Sequence, residues 1–414
     1  MKIKSFKEFD YTGKKVLLRL DVNSPIDPKT KKIVNENRIE KCLPTIKYLI
    51  QNKAKIGIIA HQGDTLDYQN LISMEEHAQK LSEKLGVNIE YIDDVCGPAA
   101  KDKISNLEEG QVVFLGNLRY LTEEVSSFEK AVKLTPKEML NTYHVRNLVP
   151  LFDIYVNEAF SAAHRNAPSM VAFQELLPSA AGDLFFKEIE VLDQVMKKPQ
   201  RPCVFILGGA KISDAFGMIR QVLENKSADH ILTCGVTGQV MLAAAGYDIG
   251  PGNMKFLSDR SLDEFIEPAK DYLKNYPGKI LYPLDLAYEQ DGKRNELEIE
   301  KLPIDQITMD IGQKTIEIYK EIIADAGTIF MNGPAGVYEN AIFDLGSMNI
   351  AQAMAQNKGF SLIGGGDTVT ATGKYINLED VSYVCTAGGA MVRYLSGVKL
   401  PLIEAMKNGT IKKR

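Results

Sequence analysis

Short apolar runs alternate with amphipathic segments along almost the whole chain. Apolar positions at helical spacing indicate helices over Ile39–Gln51 and Met74–Leu85. Short apolar runs that end at polar or glycine residues are typical of buried parallel strands. In the first half these runs include KVLLRLDV, KIGIIAHQ and FDIYVNEAF. Strands that alternate with helices predict an α/β fold in which helices cover both faces of a parallel sheet.

The length of the chain predicts more than one domain. At 414 residues it exceeds the size of one ordinary hydrophobic core. Apolar residues recur at helical spacing between Pro178 and Pro199, which favours a single connecting helix. The predicted fold is two doubly wound, Rossmann-like parallel-sheet domains joined by this helix and a hinge. The expected division is an N-terminal domain over 1–178, an interdomain helix over 179–200, a C-terminal domain over 201–401, and a tail over 402–414 that either frays or packs on the N-terminal domain.

Composition and charge exclude several classes of protein. The net charge of −5 argues against a nucleic-acid-binding protein. No apolar run is long enough to cross a bilayer, and the N-terminus lacks the apolar core of a signal peptide. The five cysteines form no C-x-x-C pair, which favours buried, reduced thiols. We therefore expect a cytoplasmic protein without membrane or nucleic-acid partners.

Glycine-rich turns follow the apolar runs of the second half. Glycine lets backbone N–H groups approach an anion closely, and a helix that starts there adds its positive dipole end. The GGAK turn brings Lys211, and the GGGDT turn brings the carboxylate of Asp367 as a Mg²⁺ ligand and the hydroxyl of Thr368. These turns predict a cradle for a polyphosphate and its metal ion, although the Walker sequence of P-loop proteins is absent. The turns lie in VFILGGAKISD, TIFMNGPAGVYE, FSLIGGGDTVTATG and YVCTAGGAMVRYL.

A different chemistry marks the strand ends of the first half. Ligands of open α/β sheets bind at the carboxyl ends of the strands. Arginine binds phosphate or carboxylate bidentately, so several arginines at one rim predict a site for a small, multiply anionic molecule. For any single arginine, a structural ion pair with a neighbouring acid is the alternative. The candidate residues are Asp21, Asn23, Arg38, His61, Arg119 and Arg165.

An anion site on one domain and a metal–polyphosphate site on the other predict phosphoryl transfer between separately bound substrates. The transferring group must be screened from water, so closure of the domains is expected.

These motifs, in order over essentially the whole chain, resemble phosphoglycerate kinase, in its archaeal-type branch. The resemblance rests on RLDVNSP, NRIEKCLPTI, NLRY, YVNEAFSAAHR, GGAK, NGPAGVYE and GGGDT. It implies reversible transfer from 1,3-bisphosphoglycerate to MgADP, giving 3-phosphoglycerate and MgATP. It also implies a direct in-line reaction without a phosphoenzyme, Mg²⁺ bound with ADP or ATP, and a monomer or weak homodimer.

The resemblance assigns roles residue by residue. The residues at the strand ends of the first half would hold 3-phosphoglycerate. Arg38, Lys211, Gly388 and Gly389 would act on the transferring phosphoryl group, and Asp367 would hold Mg²⁺. The nucleotide would contact Gly208, Gly209, Lys211, Asn332, Pro334, Gly336, Val337, Glu339, Gly364, Gly365, Gly366, Asp367 and Thr368.

Two departures from the family pattern leave a second enzyme open. The usual arginine after the strand-end histidine is replaced by Asp64, and the usual second lysine by Ala215. They motivate an alternative in which a paralogous kinase phosphorylates another carboxylic acid. A non-catalytic nucleotide-binding protein is a further alternative. An oxidoreductase is disfavoured because no G-x-G-x-x-G opens the first strand–helix turn.

Overall fold

A computed structural model of the chain describes residues 3–63 and 71–408. Contacts divide the chain into two compact units. The first unit is Met1–Ile189 together with Lys399–Arg414, and the second is Glu190–Val398. Asp64 lies outside the described residues.

The first unit is built on a six-stranded parallel sheet in the order β3-β4-β2-β1-β5-β6. Its strands are β1 (Lys15–Arg19), β2 (Lys55–Ile59), β3 (Ile89–Tyr91), β4 (Val112–Phe114), β5 (Ile154–Asn157) and β6 (Ser179–Ala181). Its helices are α1 (Asn37–Gln51), α2 (Glu75–Leu85), α3 (Pro98–Ser105), α4 (Ser126–Val132), α5 (Tyr143–Leu148), α6 (Pro168–Val171) and the first half of α7 (Asp183–Lys197).

The core of the first unit lies between its sheet and its helices. Central strands such as β1 are buried on both faces, as expected of a parallel sheet covered by helices. Helix α1 packs the apolar stripe of Ile39, Ile46 and Leu49 into this core. Gly57 on β2 allows close packing, because a Cβ there would lie 2.5 Å from the ring of Phe152.

The second unit repeats the parallel architecture in the order β15-β14-β13-β7-β8-β9 and adds a three-stranded antiparallel sheet, β11-β10-β12. Its strands are β7 (Cys203–Leu207), β8 (His230–Thr233), β9 (Ile280–Leu281), β10 (Asp285–Gln290), β11 (Lys293–Glu298), β12 (Thr308–Ile311), β13 (Thr328–Asn332), β14 (Phe360–Gly364) and β15 (Tyr383–Cys385). The later helices are α8 (Ile212–Glu224), α9 (Gly235–Ala244), α10 (Pro251–Ser258), α11 (Ile266–Asn275), α12 (Gln313–Ala324), α13 (Leu345–Gln356), α14 (Gly366–Thr372), α15 (Gly389–Leu395) and α16 (Pro401–Asn408), the last of which belongs to the first unit.

The two six-stranded parallel sheets confirm the predicted α/β fold class. The antiparallel hairpin of β10 and β11 was not predicted, although its turn carries a recognisable signal. Asp291 and Gly292 both have positive φ, as a two-residue hairpin turn with Asp-Gly requires. None of the helices among the described residues combines the length and apolar character needed to span a membrane.

Candidate active site

Asp21, in the loop after β1, contacts Arg38, at the start of α1, at the rim of the first unit. The Arg38 guanidinium contacts the Asp21 carboxylate and lies 3.4 Å from the Ser161 hydroxyl. Asp21 is almost fully buried, whereas a third of the Arg38 side chain is exposed. Arg38 is therefore oriented from behind by a carboxylate and keeps part of its planar donor fork open to an anion.

His61 lies at the end of β2 among arginines. Its Nδ1 is 2.8 Å from Nη2 of Arg19, a buried residue on β1. Because an arginine can only donate, Nδ1 accepts this hydrogen bond and Nε2 holds the ring proton. Burial, followed by the charges of Arg19, Arg119, Arg165 and Arg38, holds the pKa of His61 well below its usual value. His61 is thus a neutral hydrogen-bond donor surrounded by positive charge.

Two backbone carbonyl oxygens accept hydrogen bonds from the Arg119 guanidinium. Its Nε donates to the carbonyl oxygen of Gly63 at 3.1 Å, and its Nη1 contacts the carbonyl oxygen of Glu124. The backbone N–H of Gly63 in turn donates to Asn23 Oδ1 at 3.0 Å. Asn23 and Arg119 are therefore connected through one residue at the end of the loop after β2. Asn23 therefore helps to hold this loop in place.

Arg165 forms an ion pair with Glu129, in which Nε lies 2.6 Å from Oε2. This is the structural ion pair that was the alternative for any single arginine. Even so, Arg165 acts electrostatically on His61, as do Arg38 and Arg119. The predicted residues of the first unit therefore come together at one rim. Sequence reasoning missed Arg19, whose signal is a charged residue inside the apolar run KVLLRL.

In the second unit, the four glycine turns line one cavity of about 200 Å³. The turns follow β7, β13, β14 and β15, which are neighbours in the sheet, so their carboxyl ends meet at one edge. The predicted residues that line this cavity are Gly208, Gly209, Lys211, Asn332, Pro334, Gly365, Gly366, Asp367, Thr368, Gly388 and Gly389.

Two of the glycines, Gly208 and Gly364, illustrate how closely these turns pack. A Cβ on Gly208 would lie 2.3 Å from the carbonyl oxygen of Pro334, so the turns after β7 and β13 can approach only without side chains there. A Cβ on Gly364 would lie 2.1 Å from Met391 Sδ. Gly364 does not line the cavity, and its structural effect is close packing behind it. By contrast, a Cβ on Gly366 or Gly389 would have no neighbour within 4 Å.

Charged side chains stand at the mouth of the cavity. Lys211 Nζ lies 3.5 Å from Asp367 Oδ2, and both side chains are largely exposed. Asp214 also lines the cavity, and burial raises the pKa of its carboxyl while Lys211 and Arg393 lower it. Sequence analysis did not single out Asp214, although it stands in the same GGAKISD segment. No cluster of three or more metal-ligating side chains occurs among residues 3–63 and 71–408.

The turn after β13 separates this cavity from a larger, more apolar cavity of about 420 Å³. Four residues line both cavities: Gly209, Ala210, Pro334 and Asp367. The remaining predicted nucleotide residues, Gly336, Val337 and Glu339, line the larger one. Other lining residues were not predicted because they come from elements without a glycine motif: Phe256, Leu286, Ile307, Thr308 and Met309. The arrangement provides a polar cradle beside an apolar cavity large enough for a heterocyclic base.

Comparisons with known proteins agree with one another. The family model described as phosphoglycerate kinase matches residues 6–398. The phosphoglycerate kinase of the archaeon Methanothermus fervidus is 40% identical over 406 residues, which cover 98% of this chain and 97% of that protein. The phosphoglycerate kinase of Methanococcus maripaludis is 40% identical over 404 residues and 96% of each chain.

Solved structures give the same result. A crystal structure of phosphoglycerate kinase from Pyrococcus horikoshii OT3 matches with a TM-score of 0.85 and 35% identity, covering 98% of this chain and 99% of the other. A structure of phosphoglycerate kinase from Coxiella burnetii matches with a TM-score of 0.83 and 29% identity over the same shares of the two chains.

Proposed function

The chain belongs to the phosphoglycerate kinase family, and from this premise we propose how its residues share the work of the reaction. The family's reaction is reversible phosphoryl transfer between 1,3-bisphosphoglycerate with MgADP and 3-phosphoglycerate with MgATP. The observation that supports the assignment best is the single cavity lined by all four glycine turns. A polyphosphate needs several convergent backbone N–H groups, and this cavity offers them beside Lys211 and Asp367.

The rim of the first unit would bind 3-phosphoglycerate. Arg119 and Arg165 would pair with its phosphate, and His61 would donate from Nε2. Asp21 would orient Arg38, and Asn23 would hold the loop at Gly63. Because His61 is neutral, the arginines alone attract the phosphate dianion of 3-phosphoglycerate. Their charge does not change between pH 5 and 9.

The reaction that follows needs no general base. In the direction of ATP use, a carboxylate oxygen of 3-phosphoglycerate attacks the γ-phosphorus. A new O–P bond forms while the bond to the β-phosphate oxygen breaks, and ADP leaves with that electron pair. Arg38 and Lys211 would neutralise charge on the transferring group, and the backbone N–H groups at Gly388 and Gly389 would donate to its oxygens. These two anions must meet away from water, so we propose that the two units close during the reaction.

We call the cavity lined by the four glycine turns the polyphosphate cavity. Its residues fit Mg²⁺ bound together with a nucleotide. Mg²⁺ retains several waters and takes one or two carboxylates plus substrate phosphates, so an exposed Asp367 without a preformed ligand cluster is suitable. When bound, Mg²⁺ would neutralise phosphate charge. Asp367 would hold it, and Thr368 would position the loop, since its Oγ1 accepts from the Gly333 N–H at 2.7 Å.

The alternative substrate is not favoured. The comparisons consistently give phosphoglycerate kinase. Ala215 is buried on α8, at 2% exposure. Asp64 lies outside the described residues. A cytoplasmic location and a monomeric or weakly dimeric state belong to the same proposal, supported by the family and by the burial of all five cysteines.

Turnover of 3-phosphoglycerate with MgATP tests the proposal, when it is coupled to a dehydrogenase that consumes the acyl phosphate and NADH. We expect turnover that is lost in Asp367→Ala, while the binding of 3-phosphoglycerate is retained. Exposed Asp325 on the same unit provides a matched control, since Asp325→Ala removes a carboxylate away from both cavities. A folded protein that binds MgATP but turns over another acid faster than 3-phosphoglycerate would contradict the proposal.

A further inference from the structure

The antiparallel sheet of the second unit forms part of the wall of the larger cavity. Leu286 on β10 and the residues Thr308–Ile311 of β12 line that cavity. Within the described part of the chain, strand β11 pairs with β10 alone and does not line the cavity. Its Arg294 nevertheless reaches across to the residues that do.

The Arg294 side chain is only 15% exposed and makes four polar contacts. One contact stays on its own strand, with Glu296 Oε1 at 2.9 Å from Nε. The others cross to neighbouring segments. Nη1 lies 2.8 Å from Asp310 Oδ2 and 3.2 Å from the carbonyl oxygen of Ile342, and Nη2 donates to the carbonyl oxygen of Ile311 at 2.7 Å. A planar guanidinium can make these contacts at fixed angles, which a lysine cannot reproduce.

Asp310 links Arg294 to the loop that carries the predicted nucleotide residues. Its side chain is completely buried, and Oδ2 also accepts from the Gly346 N–H at 2.9 Å, at the start of α13. Its other oxygen lies so close to Gly336 that a Cβ there would be 2.4 Å away. Burial raises the pKa of Asp310 to about 6 even with the Gly346 N–H and Arg294 opposing it.

The loop over 333–344 is attached to the same strand by its backbone. The Val337 N–H donates to the carbonyl oxygen of Met309 at 2.8 Å. At its beginning, the Gly209 N–H donates to the carbonyl oxygen of Pro334 at 2.8 Å, which connects the loop to the polyphosphate cavity. Arg294 contacts this loop near its C-terminal end, at Ile342. It also donates to Ile311 at the end of β12, the strand to which the middle of the loop is bonded.

We propose that Arg294 is a positioning residue for the nucleotide. It would act through Asp310 and Ile342 on the loop over 333–344, which lines the larger cavity where the base would bind. The proposal rests on the proposed function, since it concerns the nucleotide of that reaction. Arg294 would not touch the reacting atoms. Its loss should therefore weaken nucleotide binding while leaving 3-phosphoglycerate binding, which belongs to the other unit, unchanged.

The test compares Arg294→Met and Arg294→Lys in the full-length protein, with the dissociation constant of MgADP measured by calorimetry. We expect Arg294→Met to raise it about tenfold to a hundredfold, as the loss of charge-assisted hydrogen bonds should. Arg294→Lys should recover part of this loss, and the KM for 3-phosphoglycerate should stay within about twofold. Glu298→Gln is the matched control. It lies on the same strand and loses only an exposed ion pair with Lys314, so its MgADP affinity should not change.

A double variant separates positioning from simple destabilisation. Arg294→Met alone leaves the Asp310 charge buried without its partner, which lowers stability. Arg294→Met/Asp310→Asn removes both charges, so its thermal stability should recover while MgADP binding stays weak, because the contacts with Ile311 and Ile342 remain lost. Recovery of both stability and MgADP affinity would overturn the proposal, as would unchanged MgADP affinity in a folded Arg294→Met. Because the readout is binding, a wild-type protein that binds MgADP without turnover would contradict the proposed function and not this inference.

Discussion

At the scale of single residues, the first unit orients an arginine with a buried acid and leaves it available to a ligand. Asp21 contacts Arg38 from the interior, and a third of Arg38 remains exposed. An arginine that is already oriented loses little side-chain entropy when an anion arrives. Its charge is therefore placed before the reaction begins, which is the condition for strong electrostatic stabilisation of a transition state.

We accordingly expect Arg38→Ala to lower kcat about 10²- to 10³-fold, the usual effect of removing one preorganised donor. Arg38→Lys should recover only part of the rate, because lysine keeps the charge and lacks the planar fork. Steady-state kinetics with both substrates would measure this effect. Lys47 on the same helix is an exposed control whose replacement by alanine should leave kcat unchanged. Near-normal turnover in Arg38→Ala would exclude the proposed role.

Residue types at strand ends allowed most of the candidate site to be predicted, because parallel strands bring their carboxyl ends together. Arg19 escaped because it is the last residue of β1 itself, where the apolar pattern of the strand hides a buried charge. Arg294 and Asp310 escaped for a different reason. Their pairing depends on a hairpin and on long-range packing, which no local spacing in the sequence encodes.

At the scale of elements, helices α14 and α15 each begin with a glycine at a position where the packing would allow a side chain. A Cβ on Gly366 or Gly389 would meet nothing within 4 Å, and neither residue has positive φ. Both line the polyphosphate cavity. The space beside them is therefore open, and we propose that function rather than packing explains their lack of a side chain.

Alanine at these positions separates the two explanations. Gly366→Ala and Gly389→Ala should leave stability unchanged or raise it by about 0.5–1 kcal/mol, because alanine favours helix over glycine. Turnover should nevertheless fall, since each methyl group would occupy space that phosphate oxygens need. Thermal unfolding and kcat/KM for MgATP, measured on the same preparations, provide the comparison. Full activity in both variants would show that the ligand does not approach these helix starts.

Helix α2 offers a prediction about pH. His77 is completely buried, and its Nε2 lies 3.0 Å from Gln62 Oε1. Burial lowers the pKa of His77 from 6.5 to about 4. Above pH 6.5 both the folded and unfolded states hold it neutral. As the pH falls from 6.5 towards 4, the unfolded state binds a proton that the folded state refuses, so the free energy of unfolding decreases.

The loss assigned to His77 over this range is about 3 kcal/mol. About 2 kcal/mol of this loss falls between pH 7 and pH 5. His77→Gln should flatten the decrease between these two pH values by that amount, although the variant is expected to be less stable at pH 7. Urea unfolding at pH 7 and pH 5 would measure the difference. His61 contributes in the same direction and remains in both proteins, so comparison of the two slopes isolates His77. Equal slopes would contradict the assignment.

At the scale of the whole molecule, the chain forms one unit, then a second, and finally returns to the first. Helix α16 packs against α6 and β6, and its Leu402 N–H donates to the carbonyl oxygen of Ala163 at 3.2 Å. Leu402 is completely buried there. The stability of the first unit therefore depends on residues that follow the second unit in the chain, while the two cavities lined by the glycine turns lie wholly within Glu190–Val398.

This arrangement predicts a selective effect of Leu402→Ala. The substitution removes a buried side chain and leaves a cavity, which typically costs about 2–5 kcal/mol. The cost should fall on the first unit, so calorimetry should show an earlier unfolding transition that 3-phosphoglycerate delays. The dissociation constant of MgADP should remain within about twofold of the wild-type value. Lys407→Ala, on the same helix, removes only a partly exposed ion pair with Glu404 and should change neither quantity measurably. If MgADP affinity fell together with stability in Leu402→Ala, the nucleotide cavities would depend on α16, and the independence of the second unit would be wrong.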